Sequence, residues 1–244
     1  GFNMRPVIIF GATSSVAKEI ANIYASRKIN LFLCARDIEE TNRVRNDLII
    51  RHNVNVSTNF FDAQSPHSYY KIIHMMKKNN VIPRSIIFCH GQMFTRDLKD
   101  FKHDDIERIT NVNLTSVISI LLQFYNEFKD EKLSVGIITS IAGERGKRRN
   151  LVYSASKGGL SLFLEGLRQV ANISVTDIRM GFVDTRMTYG TIKSPLIIPP
   201  RNAAKGIIKA LEKNKKVAYV PSFWRYIMFV IKKIPNRIYD KMSL

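Results

Sequence analysis

Short apolar runs alternate with longer segments whose apolar positions recur every three or four residues, and this rhythm persists along the 244-residue chain. Residues 6–10 read as a central strand, residues 11–15 as a turn, and the amphipathic stretch from there to about Arg27 as a helix. Residues 31–35 form a second strand, 39–52 a polar helix, and 54–60 a third strand that Asp62 follows. Helix over 65–79, strand over 84–89, a long helical region over roughly 104–128 and strand over 135–139 continue the series. Past a helix that holds Tyr153, residues 173–180 and 216–220 read as strands flanking a helix over 202–213. Such alternation predicts an α/β fold: one doubly wound parallel sheet of about seven strands with helices on both faces, in a single domain over residues 1–244. Pro195, Pro199 and Pro200 mark residues 187–200 as a loop, placed after the sixth strand where a lid would sit.

Hydrophobic residues make up 45% of the chain, enough for a packed core. Cys34 and Cys89 end separate apolar runs without zinc or redox spacing, and read as reduced core residues of a cytoplasmic protein. Met4 reads as a natural start, no signal peptide is visible, and residues 1–3 are left out of the fold reading. The formal charge of +18 raises nucleic acid or anionic membrane as partners. Because the basic residues are spread over many helices, with no helix-turn-helix, zinc-finger or RNA-binding signature, nucleic acid is not expected.

The chemistry is carried by Ser140, Tyr153 and Lys157. Tyr153 and Lys157 stand at i and i+4, so a helix brings a phenol and an ammonium to one face. A free tyrosine ionises near pH ~10, and a neighbouring cation is expected to draw that value down, making Tyr153 a proton donor. Ser140 ends the fifth strand, at the carboxyl edge where open parallel sheets bind ligands.

Serine followed about a dozen residues later by Y-x-x-x-K resembles the short-chain dehydrogenase/reductase superfamily. So do residues 11–15 after the first strand, Asp62 after the third, the Asn111-Val112-Asn113-Leu114 segment, and residues 181–185 after the sixth. The resemblance implies a Rossmann-type fold and reduction of a carbonyl to an alcohol with a nicotinamide cofactor. Tyr153 would be the proton donor, Lys157 would hold the ribose and lower the phenol's pKa, Ser140 would hydrogen-bond the carbonyl oxygen, and Asn113 would support a water-linked proton path. A homodimer or homotetramer through the long fourth and fifth helices is implied too. A non-catalytic dinucleotide sensor or scaffold would not need the trio.

Gly11 supplies the close backbone approach that a pyrophosphate needs at a helix start, with Thr13, Ser14, Ser15 and Val16 beside it. Ser15 and Ala17 stand where the family's second and third glycines lie. The second strand ends without a carboxylate at Ala35, and Arg36 can pair with a 2′-phosphate, so NADP(H) is preferred to NAD(H). By resemblance Asp62 contacts the adenine and Thr185 the nicotinamide carboxamide, Val183 also binds the cofactor, and His90 and Gly91 lie in a loop beside it; no metal is called for.

Between Ser140 and Tyr153, Arg145, Lys147, Arg148 and Arg149 form a basic loop that is either solvated surface or suited to a phosphorylated substrate. Residues 140–153, 181–187 and the tail from Pro221 look similar to the branch containing the reductase that completes epimerisation of decaprenylphosphoryl ribose. This implies a polyprenyl-phosphate-linked keto sugar as substrate; a soluble ketone or β-ketoacyl carrier protein is the alternative. The amphipathic basic tail, residues 221–244, is too short to span a bilayer, and reads either as a helix at the inner membrane surface or as a cover for the pocket or an oligomer contact.

Overall fold

A computed structural model describes residues 5–94, 98–147, 150–185 and 195–242. Seven parallel strands form one sheet: β1 (Val7–Phe10), β2 (Leu31–Ala35), β3 (Val56–Phe60), β4 (Ser85–Phe88), β5 (Ser134–Ser140), β6 (Ser174–Met180) and β7 (Val217–Val220), in the order β3-β2-β1-β4-β5-β6-β7. The chain builds outward from β1 to β3, then returns to place β4 on the other side of β1. That reversal opens a crevice beyond the carboxyl ends of β1 and β4.

Within β1 every residue is buried, so the strand shows no polar alternation. Its side chains nevertheless divide by parity: Val7 and Ile9 join one core, Ile8 and Phe10 the other. The first core is closed by α1 (Ser15–Ser26) and α7 (Pro200–Glu212), with Leu48 from α2 (Ile38–His52). The second is closed by α3 (Pro66–Lys78), α5 (Ser116–Phe128) and α6 (Leu151–Val170).

Residues 104–128 are helical, as their pattern predicts, with one irregularity. The helix α4 (His103–Thr110) passes into a π-helical turn over Asn111–Thr115 before α5 begins. The wide turn sets Asn113 inward, fully buried, where its amide accepts from the Gln92 N–H at 2.7 Å and donates to the Gln92 carbonyl at 2.8 Å. Those bonds offset the poorer packing of a π turn.

The β5 end and α6 meet backbone to backbone. A methyl group placed on Gly158 would lie 2.7 Å from the Gly143 carbonyl oxygen, and one on Gly143 would lie 2.6 Å from the Gly158 nitrogen. Past β7, α8 (Trp224–Lys233) and α9 (Asn236–Tyr239) fold back over the β5–α6 loop, Trp224 and Met228 joining Ile141 in a third, small core. Gly158→Ala is expected to destabilise the protein by about 1–3 kcal/mol, since the opposing backbone has no rotamer by which to yield; a urea midpoint equal to wild type at unchanged slope would contradict this.

Candidate active site

A crevice of about 660 Å³ runs along the carboxyl ends of the central strands. Lining it are Gly11, Thr13, Ser14, Ser15, Val16, Arg36, Asp62, His90 and Gly91 at one end, and Ser140, Lys147, Tyr153, Lys157, Val183 and Thr185 toward the other. Arg148 and Arg149, and residues 186–194 of the expected lid, lie outside the described residues. At the lid's far end, Ile198 pairs with Val183, its N–H donating to the Phe182 carbonyl at 3.1 Å.

Gly11 has φ +78°, and a methyl group there would come within 2.5 Å of the His90 nitrogen, so the β1 and β4 turns approach as closely as main chain allows. Ser14 caps α1, its hydroxyl accepting from the Ala17 N–H at 3.2 Å. The first turn of α1 carries no acidic side chain and faces the crevice with the positive end of its dipole. Arg36 is exposed at the end of β2. Asp37 also lines this end, its carboxylate accepting from Glu40 N–H at 2.9 Å as the cap of α2. Asp62 likewise accepts from Gln64 N–H, at 3.0 Å.

His90 is no base for this crevice. Its Nε2 lies 3.0 Å from Ser116 Oγ, which itself donates to the Val112 carbonyl, so Nε2 is assigned the proton. Burial, with the charge of Lys157 adding to it, pushes the imidazole down to about 3 and keeps it neutral.

Ser140, Tyr153 and Lys157 converge. Ser140 caps the short turn Ile141–Gly143, accepting from Ala142 N–H at 3.1 Å, and its hydroxyl hydrogen-bonds Tyr153. Lys157 is buried, donates to the Ile138 carbonyl at 2.9 Å and stands 5.9 Å from the centre of the Tyr153 ring. Burial lowers Lys157 to about 8, against the opposing charge of Asp177. The expected depression of the Tyr153 pKa by its cation is reversed here: burial raises the phenol, and the hydrogen bond with Ser140 pulls the other way. A phenol so held keeps its proton at neutral pH. Asn113 stands behind this group, its amide spent on the Gln92 backbone and on Ser156 Oγ at 3.1 Å, so it holds the neighbouring backbone in place.

The sequence pattern missed the network that supports the β5–α6 loop. Glu144 Oε2 accepts from Arg179 at 3.0 Å, Tyr219 at 2.9 Å and Lys232 at 2.7 Å, while Arg179 also pairs with the fully buried Asp177 at 3.1 Å. Arg145, expected beside the substrate, is tied to the C-terminal helices. Its guanidinium donates to the carbonyls of Ile231 and Ile234 and to Asn236 Oδ1, and stacks 3.8 Å from the Tyr239 ring centre. It thus caps the carboxyl end of α8. Only the alternation of Arg and Glu near a loop hinted at this in sequence, and that signal is common to solvated surfaces.

A model of the short chain dehydrogenase family matches residues 5–194. An uncharacterized oxidoreductase of Mycobacterium tuberculosis is 24% identical over 241 residues, covering 97% of this chain and 96% of that protein. A short-chain dehydrogenase from Sphingobium yanoikuyae in complex with NADPH superposes with a TM-score of 0.81 at 17% identity, over 94% of this chain and 96% of that one. An alcohol dehydrogenase from Thermococcus sibiricus complexed with 5-hydroxy-NADP does so with a TM-score of 0.79 at 17% identity, over 88% and 95% of the two chains. At such identities the superpositions speak for the fold. With the family match spanning most of its length and the seven-stranded parallel sheet in agreement, the chain belongs to the short-chain dehydrogenase family of oxidoreductases.

Proposed function

We propose that this protein is an NADP-preferring reductase that converts a carbonyl to an alcohol, with Tyr153 as the proton donor and a polyprenyl-phosphate-linked keto sugar as substrate. The observation that carries the reading is the meeting of Ser140, Tyr153 and Lys157 in one crevice. The dinucleotide fits that crevice: Gly11 leaves room that a side chain would fill, and the capped start of α1 faces the space. Gly11, Thr13, Ser14, Ser15 and Val16 would hold the pyrophosphate, Asp62 the adenine, Lys157 the ribose, and Val183 and Thr185 the nicotinamide end. When bound, the cofactor supplies the hydride.

The protein's own residues handle the oxygen of the carbonyl. Ser140 donates a hydrogen bond to it as negative charge develops, and Tyr153 gives up the phenolic proton that its burial preserves. Lys157, charged below about pH 8, stabilises the phenolate left behind. Asn113 keeps the Gln92 backbone, and with it Gly91, against Lys157. The preference for NADP rests on Arg36, exposed at the crevice while Asp37, next to it in sequence, caps a helix. The NADPH and 5-hydroxy-NADP of the two superposed structures accord with it.

The lipid-linked substrate, and the decaprenylphosphoryl ribose branch with it, draw support from the tail. Trp224 and Met228 pack inward, while Tyr226, Phe229 and Val230 are exposed on α8 beside Arg225 and Lys233. Apolar residues flanked by cations suit an anionic bilayer surface, which supports a location at the inner membrane face. Among the described residues no helix is long and apolar enough to cross a membrane. Exposed Ile106, Leu122 and Leu162 on α4, α5 and α6 support self-association.

NADPH oxidation measured against a polyprenyl-phosphate 2-keto-pentose, simple ketones and a β-ketoacyl thioester tests the reading, which turnover of the thioester alone would replace by that of a carrier-protein reductase. Tyr153→Phe should lower kcat by about 10²-fold or more while NADPH still binds; near-wild-type turnover would remove Tyr153 from the chemistry. In Arg36→Ala the KM for NADPH is expected to rise about tenfold or more, with that for NADH little changed, as initial rates will read. Wild type should sediment with vesicles of anionic lipid, and Phe229→Glu should weaken that binding severalfold; equal sedimentation of the two proteins would leave the tail without this role.

A further inference from the structure

A second cavity, of about 490 Å³, lies between the β5–α6 loop and the C-terminal α9, lined by Arg145, Lys147, Leu151, Asn236, Tyr239 and Asp240 among others. Lys147 lines both this cavity and the crevice that holds Tyr153, so one lysine stands at the wall they share. We infer that the second cavity is the anion subsite of the substrate: Lys147 binds a phosphate ester group attached to the molecule whose carbonyl lies at Tyr153. This deepens the reductase reading and rests on it for the placement of the carbonyl.

Three observations support the assignment. Lys147 takes no part in an ion pair or hydrogen bond among the described residues, whereas Arg145, two positions earlier, spends its guanidinium on Ile231, Ile234 and Asn236. It is half-buried, and burial holds its pKa below the ordinary lysine value; a desolvated cation without a partner gains most from an anion. The wall is also rigid on the protein side, because Tyr239 donates to the Gly146 carbonyl at 2.8 Å and stacks under Arg145, fixing the main chain next to Lys147. The Arg145 guanidinium adds positive charge to that wall. Asp240, across the cavity, has an interaction of its own.

The sugar would then sit in the crevice and its phosphate at the boundary, with any lipid leaving through the second cavity past Leu151 and Tyr239. Because a phosphate group occurs on soluble sugars and on lipids alike, ribose 5-phosphate and farnesyl phosphate serve as separate probes, with farnesol as the uncharged control. Calorimetric titration of the full chain, with and without saturating NADP⁺, should find farnesyl phosphate bound at least tenfold more weakly by Lys147→Ala than by wild type, and Lys147→Arg within about threefold of wild type. Binding of ribose 5-phosphate with the same dependence on Lys147 makes the subsite one for phosphate as such; binding of farnesyl phosphate alone makes it one for lipid phosphates. Equal affinity of wild type and Lys147→Ala, equal affinity for farnesol and farnesyl phosphate, or no binding by wild type would overturn the assignment. These titrations need no turnover, so a protein that binds farnesyl phosphate through Lys147 yet reduces no carbonyl keeps the anion subsite and loses the reductase reading.

Discussion

Everything at the active site depends on one main-chain contact, between the turn that ends β5 and the second turn of α6. Gly143 and Gly158 touch without side chains between them, and this sets Ser140, three residues before the one, against Tyr153, five before the other. Any Cβ at the contact would part the strand end from the helix. The hydroxyl and phenol would then separate, whatever their identities. Chemistry that requires two groups within hydrogen-bond reach thereby becomes a demand on packing some distance from either.

Burial then decides the charge states. Lys157 and His90 are both basic groups beside the same crevice, and desolvation lowers each, but with different outcomes. Lys157 begins from a high value and has Asp177 nearby, so it stays charged at neutral pH. His90 begins near neutrality and feels Lys157 as a like charge, so it stays neutral. Tyr153 is held in its protonated form by the same loss of solvent. One cation and one neutral acid is the pairing that proton delivery to a developing alkoxide needs.

The C-terminal helices serve the site indirectly. Glu144 gathers Arg179, Tyr219 and Lys232 from β6, β7 and α8, and Arg145 reaches the last carbonyls of α8. The loop that follows Ser140 is therefore clamped from two sides by charge-assisted bonds with little exposure at Glu144. This clamp leaves Lys147 as the loop's unpartnered cation among the described residues, and leaves the outer face of α8 bare.

Most of the architecture could be read from periodicity, because a buried parallel sheet needs continuous apolar strands and amphipathic helices, and both leave marks within a dozen residues. The strand over 31–35 matches the structure to the residue, and the others differ by a residue or two at their ends. The meeting of Ser140, Tyr153 and Lys157 was legible for the same reason: Tyr153 and Lys157 are one helical turn apart, and Ser140 ends a strand. The π turn at Asn113 was not, since it answers to bonds with the Gln92 backbone, twenty-one positions away. Nor was the fate of Arg145, whose partners lie at 231, 234 and 236, or the upward shift of Tyr153, which burial imposes. Local pattern determined which groups are present and on which face of their own helix or strand they stand. Tertiary structure decided which cations are spent on carbonyls and which face a cavity, because hydrogen bonding and desolvation depend on neighbours that are distant in sequence.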